Sequence, residues 1–371
     1  MRPLIQIAFQ LCLAFGLTAA LLLLLRRPAL QAGLVDQPTS RKRHGRVVPL
    51  IGGICITIGF MAAALPADLG LRDYQGLFAG MGALLVLGVA DDLVEVDNWA
   101  KLAIQVLAAL LMAAWGGLRV EELGALLGPG TALGLGPWAM PFTVVCVVGL
   151  INAVNMFDGV DGLAAGTVAI ALGWLVLAGA VGGAGGWPVL AGVLLAAICA
   201  FLIFNLRNPW RRKAACFLGD AGSMVIGFGL AWFAVEAAAG EAAVLPPVAI
   251  AWILALPIVD TITLASRRML RGAAPFQPDR EHLHHILYRA GLNPAQAVSV
   301  LLAVSAILGG IGVLGAWAGV PDWLLMLLLV PVAGAQVLVH AKAWRFARLL
   351  RRGLRWARSR SRNAIQRRVA R

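Results

Sequence analysis

The chain has 371 residues, 60% of them hydrophobic and only 13% charged, with a formal net charge of +13 and a mean hydropathy of +0.84. Soluble domains carry roughly 25% charged residues, so a soluble globular enzyme is excluded. A nucleic-acid binder needs a folded, basic, polar surface, and that is excluded with it. What remains is an all-α polytopic integral membrane protein of about eleven helices, since each span takes ~20 apolar residues.

The apolar segments in chain order are 4–25, 47–65, 74–90, 101–118, 137–155, 162–182, 188–206, 218–236, 245–265, 297–318 and 321–341. The first is too long for the apolar region of a signal peptide and ends in Arg26-Arg27 without a cleavage site, so it reads as a retained helix. An odd number of spans puts the termini on opposite sides. The loops on the C-terminal side then hold 28 of the 31 Lys and Arg, leaving Arg2, Arg72 and Arg119 on the other. The positive-inside rule places the C-terminus in the cytoplasm and the N-terminus outside. Residues 1–341 read as one transmembrane domain. Residues 342–371 read as a basic cytoplasmic tail lying along anionic headgroups. Five cysteines without C-x-x-C spacing read as small apolar side chains.

Five polar clusters fall at cytoplasmic helix ends, where ionisable groups are costly and usually functional. The first is Asp36-x-Pro38-x-x-Arg41-Lys42-x-His44, then Gly52-Gly53. Lys42 and His44 can hold phosphate or merely anchor the boundary, and the glycine pair suits close helix packing. The second is Asp91-Asp92-x-x-Glu95-x-Asp97, followed by Lys101 and Gln105. Adjacent carboxylates at a membrane surface suit Mg²⁺ bound through diphosphate oxygens, or a base kept ionised by a metal or lysine.

The third cluster is Asn152-x-x-Asn155-x-x-Asp158-Gly159-x-Asp161-Gly162, in which the first three polar residues share a helix face. The fourth, Phe217-Leu218-Gly219-Asp220-x-Gly222-Ser223, opens a span. Asp220 there is either a metal and phosphate residue or an N-cap. The fifth is Pro275-Phe276-x-Pro278-Asp279-Arg280-Glu281-His282-Leu283-His284-His285. Adjacent histidines seldom reach one ion, so imidazoles and Arg280 gripping a diphosphate fit better than zinc. Asp260, inside the ninth span, either supports this site or lines a cavity. Acids for Mg²⁺, bases for phosphate and glycines for close approach point to phosphoryl transfer between a soluble donor and a lipid phosphate.

With these motifs the sequence resembles the polyprenyl-phosphate N-acetylhexosamine-1-phosphate transferases (glycosyltransferase family 4), the superfamily that includes phospho-N-acetylmuramoyl-pentapeptide transferase. The stretches Asp36–Gly53, Asp91–Gln105, Asn152–Gly166 and Phe217–Gly227, with the histidine loop, carry the resemblance. Leu283 interrupts the histidines, as in the type that uses UDP-N-acetylglucosamine. The resemblance implies a multi-pass enzyme of the bacterial inner membrane. Undecaprenyl phosphate would attack the β-phosphate of UDP-GlcNAc, releasing UMP, in the first lipid-linked step of a cell-surface polysaccharide.

It further implies Asp91 as base or orienting group for the lipid phosphate, assisted by Asp92. Asp220, with Asn155 and Asp92 or Asp158 near it, would hold Mg²⁺ or Mn²⁺. Asn152, Asp158 and Asp161 would lie at the nucleotide, and His282, His284, His285 and Arg280 at the diphosphate and sugar. Direct attack and a covalent aspartyl phosphate both remain open. So do another UDP-HexNAc donor, an intramembrane prenyltransferase and a lipid-linked-sugar transporter. Gly76-x-x-x-Gly80 suits helix packing within one chain or in a homodimer.

Overall fold

The computed structural model describes residues 2–36, 47–65, 71–208, 211, 213–239, 242–272, 282–353 and 355. Its helices are α1 (Arg2–Leu24), α2 (Arg26–Ala32), α3 (Gly52–Ala64), α4 (Gln75–Val94), α5 (Asn98–Leu110), α6 (Ala139–Phe157) and α7 (Leu163–Gly182). They continue as α8 (Trp187–Asn205), α9 (Gly219–Ala239), α10 (Pro247–Ile253), α11 (Ala255–Leu270), α12 (Leu283–Arg289), α13 (Pro294–Trp317) and α14 (Asp322–Ala341). Among the described residues the only sheet is a pair of two-residue strands, β1 (Val35–Asp36) antiparallel to β2 (Val48–Pro49). Lys42, His44 and Arg280 lie outside the described residues.

All eleven expected spans are helical, but two depart from a plain crossing. Nine helical segments among the described residues are long and apolar enough to cross a membrane. The ninth expected span is instead the pair α10 and α11, bent by 75°. Pro257 in the first turn of α11 lacks an N–H, and its ring excludes the carbonyl four residues back, so one straight helix cannot pass through Leu254. The second expected span is α3, with only 13 residues. At 1.5 Å per residue it is about 20 Å long, short of the ~30 Å hydrocarbon core. Val48 and Pro49 before it are extended because they pair with β1, and the first N–H groups of α3 find partners outside the helix. Gly52 and Gly53 N–H donate to the Phe217 and Leu218 carbonyls, both at 3.0 Å, and Phe217 N–H donates to Pro49 O at 2.9 Å.

At the centre stands α9, which packs against α3, α4, α6, α7 and α8. Its apolar window is 89% buried, against 11% for α14, which therefore lies at the periphery. Close approach to α9 depends on missing side chains. A Cβ on Gly53 would sit 2.3 Å from Gly222 N, and one on Gly88 would sit 2.2 Å from Ala221 Cα. The glycine pair opening α3 is therefore a packing device. The same holds for Gly76 and Gly80, whose missing Cβ atoms make room for the Trp232 and Phe228 rings within this chain.

These contacts separate two glycines on one helix. Gly88→Ala drives a methyl into backbone and is expected to cost at least the ~1–3 kcal/mol of an overpacked core. Nothing lies within 4 Å of a Cβ on Gly82, so Gly82→Ala is expected to be neutral or to gain about 0.5–1 kcal/mol of helix propensity. Thermal melts of the two detergent-solubilised variants would check the contrast.

Candidate active site

The site is assembled at one end of the bundle, where the C-terminal ends of α4 and α6 meet the N-terminal end of α9. The first four N–H groups of a helix have no partner inside it and must find acceptors elsewhere. Asp92 meets this need from α4. Its Oδ1 accepts from Asp220 N–H at 2.9 Å and its Oδ2 from Ala221 N–H at 3.3 Å. Asp220 is thus not the cap of its own helix, because Asp92 already holds that position from another.

Asp91 points the other way. Glu95 adopts a left-handed backbone (φ 52°) and turns the chain, so that Val96 N–H donates to Asp91 Oδ1 at 2.8 Å. Asp97 then caps α5 by accepting from Trp99 and Ala100 N–H, which gives it a structural role. One turn into α5, Lys101 Nζ lies 2.5 Å from Asp91 Oδ2, whose side chain is almost wholly buried. The Asp91 and Asp220 carboxyls lie within hydrogen-bonding reach of each other.

Asn155 orients Asp220. Its amide donates to Asp220 Oδ1 and to Ser223 Oγ, both at 2.8 Å. Asn152, one turn earlier, donates to Gln105 Oε1 at 2.6 Å and so ties α6 to α5. Asp158 follows the last residue of α6. Burial, together with Asp220, Asp161 and Asp92 around it, pushes its carboxyl up to about 8. Asp161 pairs with Arg207, whose Nε lies 2.6 Å from its Oδ2. Asn205 locks the same loop by accepting from Gly162 N–H at 2.6 Å and donating to Cys216 O at 2.8 Å.

The histidines sit on α12 and the residue before it. His282 and His284 stack at 5.6 Å between centroids, and His285 lies 4.2 Å from His284. A Cβ on Gly159 would come within 2.9 Å of His284 Cε1, so this glycine lets the histidine helix lie against the third cluster. Burial beside His285 and His282 holds the His284 imidazole down to about 3, and it is neutral at physiological pH. His282 Nδ1 is 2.7 Å from Asp260 Oδ2, which makes Asp260 a support of this site.

Sequence reasoning missed Arg207, Asn205 and His340. Arg207 was indistinguishable from the other basic residues of its loop. Asn205 reads as an ordinary helix end. His340 did carry a signal, an ionisable group within an apolar segment.

Among the described residues no three His, Cys, Asp or Glu side chains form a ready-made metal cage. Mg²⁺ does not need one, because it commonly takes one or two carboxylates and completes its shell with water and substrate phosphates. Two carboxyls as close as Asp91 and Asp220 need a shared proton or a cation. The elevated Asp158 beside them is the same signature of crowded acids. The residues present therefore fit a divalent cation.

Asp92→Ala is expected to lower stability by about 1 kcal/mol, the usual cost of a lost helix cap, as well as activity. Asp220→Asn removes one of the crowded charges and is expected to abolish activity with no loss of stability. Thermal melts run beside turnover assays would separate the two aspartates.

The glycosyl transferase family 4 profile matches residues 74–238, the stretch that contains Asp91, Asp92, the third cluster and Asp220. An undecaprenyl-phosphate alpha-N-acetylglucosaminyl 1-phosphate transferase of Yersinia pestis is 33% identical over 361 residues, covering 97% of this chain and 98% of the relative. Proteins of the same name from Escherichia coli K12 and Haemophilus influenzae are 32% and 36% identical, covering 94% and 91% of this chain and 95% of each relative. Similarity of this extent, running through every described site cluster, shows that the chain is a multi-pass membrane protein belonging to glycosyl transferase family 4.

Proposed function

We propose that the protein transfers GlcNAc-1-phosphate from UDP-GlcNAc to undecaprenyl phosphate, giving undecaprenyl-diphospho-GlcNAc and UMP. The reaction would take place at the cytoplasmic face of the bacterial inner membrane, with the N-terminus outside and the C-terminus inside. The observation that carries this reading is the meeting of Asp91, Lys101, Asp158 and Asp220 at one end of an apolar bundle. A membrane-embedded acceptor and a soluble, polyanionic donor both reach such a place. The names of the full-length relatives support the acceptor and the GlcNAc-1-phosphate group.

Lys101 and Asp91 would receive the lipid phosphate, the ammonium attracting it and the carboxylate orienting it or removing its proton. One phosphate oxygen attacks the β-phosphorus of the donor, and the bond from that phosphorus to the bridging oxygen breaks. The bridging oxygen leaves with UMP. Asp220, Asn155 and Asp158 would hold Mg²⁺ (Mn²⁺ being the alternative), with Asp92 fixing the helix end that carries Asp220. When bound, the ion supplies neutralisation of the diphosphate and of the leaving group. Asn152 and Asp161 would border the nucleotide, and Lys42, His44 and Arg280 would add cationic contacts to phosphate. His282, His284 and His285 would face the donor's sugar and diphosphate. Attack is direct in this reading, because a lipid phosphate is already an anionic nucleophile and the step needs chiefly positioning and charge.

The test is UMP release and lipid labelling by purified protein with undecaprenyl phosphate, Mg²⁺ and, separately, UDP-GlcNAc, UDP-GalNAc and UDP-MurNAc-pentapeptide. UMP and a GlcNAc-labelled lipid, lost with EDTA and in Asp220→Asn, are the expected result. Turnover with another donor alone would overturn the sugar assignment, and no UMP from folded protein with any donor would overturn the transferase.

A further inference from the structure

Asp260 on α11 is fully buried and serves two histidines far apart in the chain. Its Oδ2 lies 2.7 Å from His282 Nδ1. Its Oδ1 lies 2.9 Å from His340 Nε2 and accepts from Leu283 N–H at 3.3 Å. His340 is also fully buried, in the last turn of α14, and its Nδ1 lies 2.9 Å from the Gln336 carbonyl. A carbonyl only accepts, so Nδ1 must carry a hydrogen. Nε2 faces a carboxylate, and a buried carboxylate needs a counter-charge. An imidazolium at His340, donating from both nitrogens, satisfies both demands.

That pairing frees His282 from neutralising Asp260. His282 donates from Nδ1 to Oδ2, and its Nε2 keeps a lone pair, since the bond made by one ring nitrogen sets the state of the other. The surrounding packing holds this geometry. Arg267 Nη1 donates to His340 O at 2.9 Å, pinning the end of α14 to α11. Beyond it the chain is again helical over 343–353, and Ala347, Phe346 and Leu350 pack on Ile286 and Ala290. Arg351 donates to the Arg289 carbonyl, and Arg289 stacks over Trp344 at 5.1 Å.

We propose that His340, acting through Asp260, is a positioning residue for His282, fixing its ring and its tautomer so that Nε2 is presented to the donor as a hydrogen-bond acceptor. An acceptor nitrogen takes a sugar hydroxyl or an acetamido N–H and disfavours a phosphate oxygen. His282 is thereby assigned to the sugar, and the diphosphate is left to cationic neighbours. This rests on the proposed transferase reading and specifies one of its contacts.

The experiment is a double-mutant cycle in the full-length enzyme, using His282→Ala, His340→Ala and both together, with each substrate varied in turn. His340→Ala is expected to lower kcat/KM for UDP-GlcNAc by about 10–100-fold, the range for losing a group that orients a functional histidine. KM for undecaprenyl phosphate should stay unchanged, whereas a general loosening of the bundle would disturb both substrates. The double variant should be no worse than His282→Ala, because residues acting as a unit are not additive. Asp260→Asn should match His340→Ala.

If His340→Ala does not fold, Asp260→Asn, which removes the charge shared by the two histidines, carries the same comparison with His282→Ala. Multiplicative losses, or equal damage to both substrates, would overturn the proposal. An impaired His282→Ala beside unimpaired His340 and Asp260 variants would sink this inference alone. A fully active His282→Ala would sink the histidine assignment on which it rests.

Discussion

The unpaired N–H groups that open α9 are the constraint from which the site follows. This helix is the most enclosed in the bundle, and its first turn takes its acceptors from a neighbouring helix. Asp92 supplies the acceptors from α4, and for that α4 must approach α9 to backbone contact. Gly88 permits the approach, and Gly53 and Gly222 permit the matching one from α3. Once α4 is docked in this register, Asp91 is carried to Asp220, and the turn at Glu95 brings Lys101 beside it. One capping interaction thus fixes the relative positions of groups from two separate motifs.

The same arrangement concentrates negative charge. Asp91, Asp92, Asp158 and Asp220 converge where Lys101 and the positive end of a helix dipole are the nearby compensation. Asp161 is paired with Arg207, while Asp158, with Asp220, Asp161 and Asp92 around it, is pushed up to about 8. A site in this condition attracts cations and the cation-bound phosphates of a nucleotide sugar. Hydrogen bonds from Asn155 and Val96 hold two of these carboxylates in place, which favours positioning over flexibility.

On the other flank, the histidine helix is short and has little packing of its own. It is held from four directions: by Gly159 on the third cluster, by Asp260 on α11, by α13, and by the end of α14 with the helical residues after it. The C-terminal segment reads as a basic surface element, yet its first turns lie on α12.

Composition alone decided that the chain lives in a membrane and is helical, because 60% hydrophobic residues leave no other solvent for it. Hydropathy located the helices, and basic residues gathered in alternate loops give only an expected orientation. The clusters Asp91-Asp92, Asn152 to Asp161, Asp220 and the histidines were legible because polar groups beside apolar runs are conspicuous. Partnership was not legible. Asp91 and Asp92 are neighbours of one type, and only the docking of α9 decided that one caps a helix while the other meets a lysine. Nor could hydropathy measure the bend at Leu254 or the shortness of α3, since both arise from where backbone hydrogen bonds go. His340 and Asp260 show the same limit. They are 80 residues apart on different helices, and packing brought them together because a buried charge requires a partner that sequence spacing does not reveal.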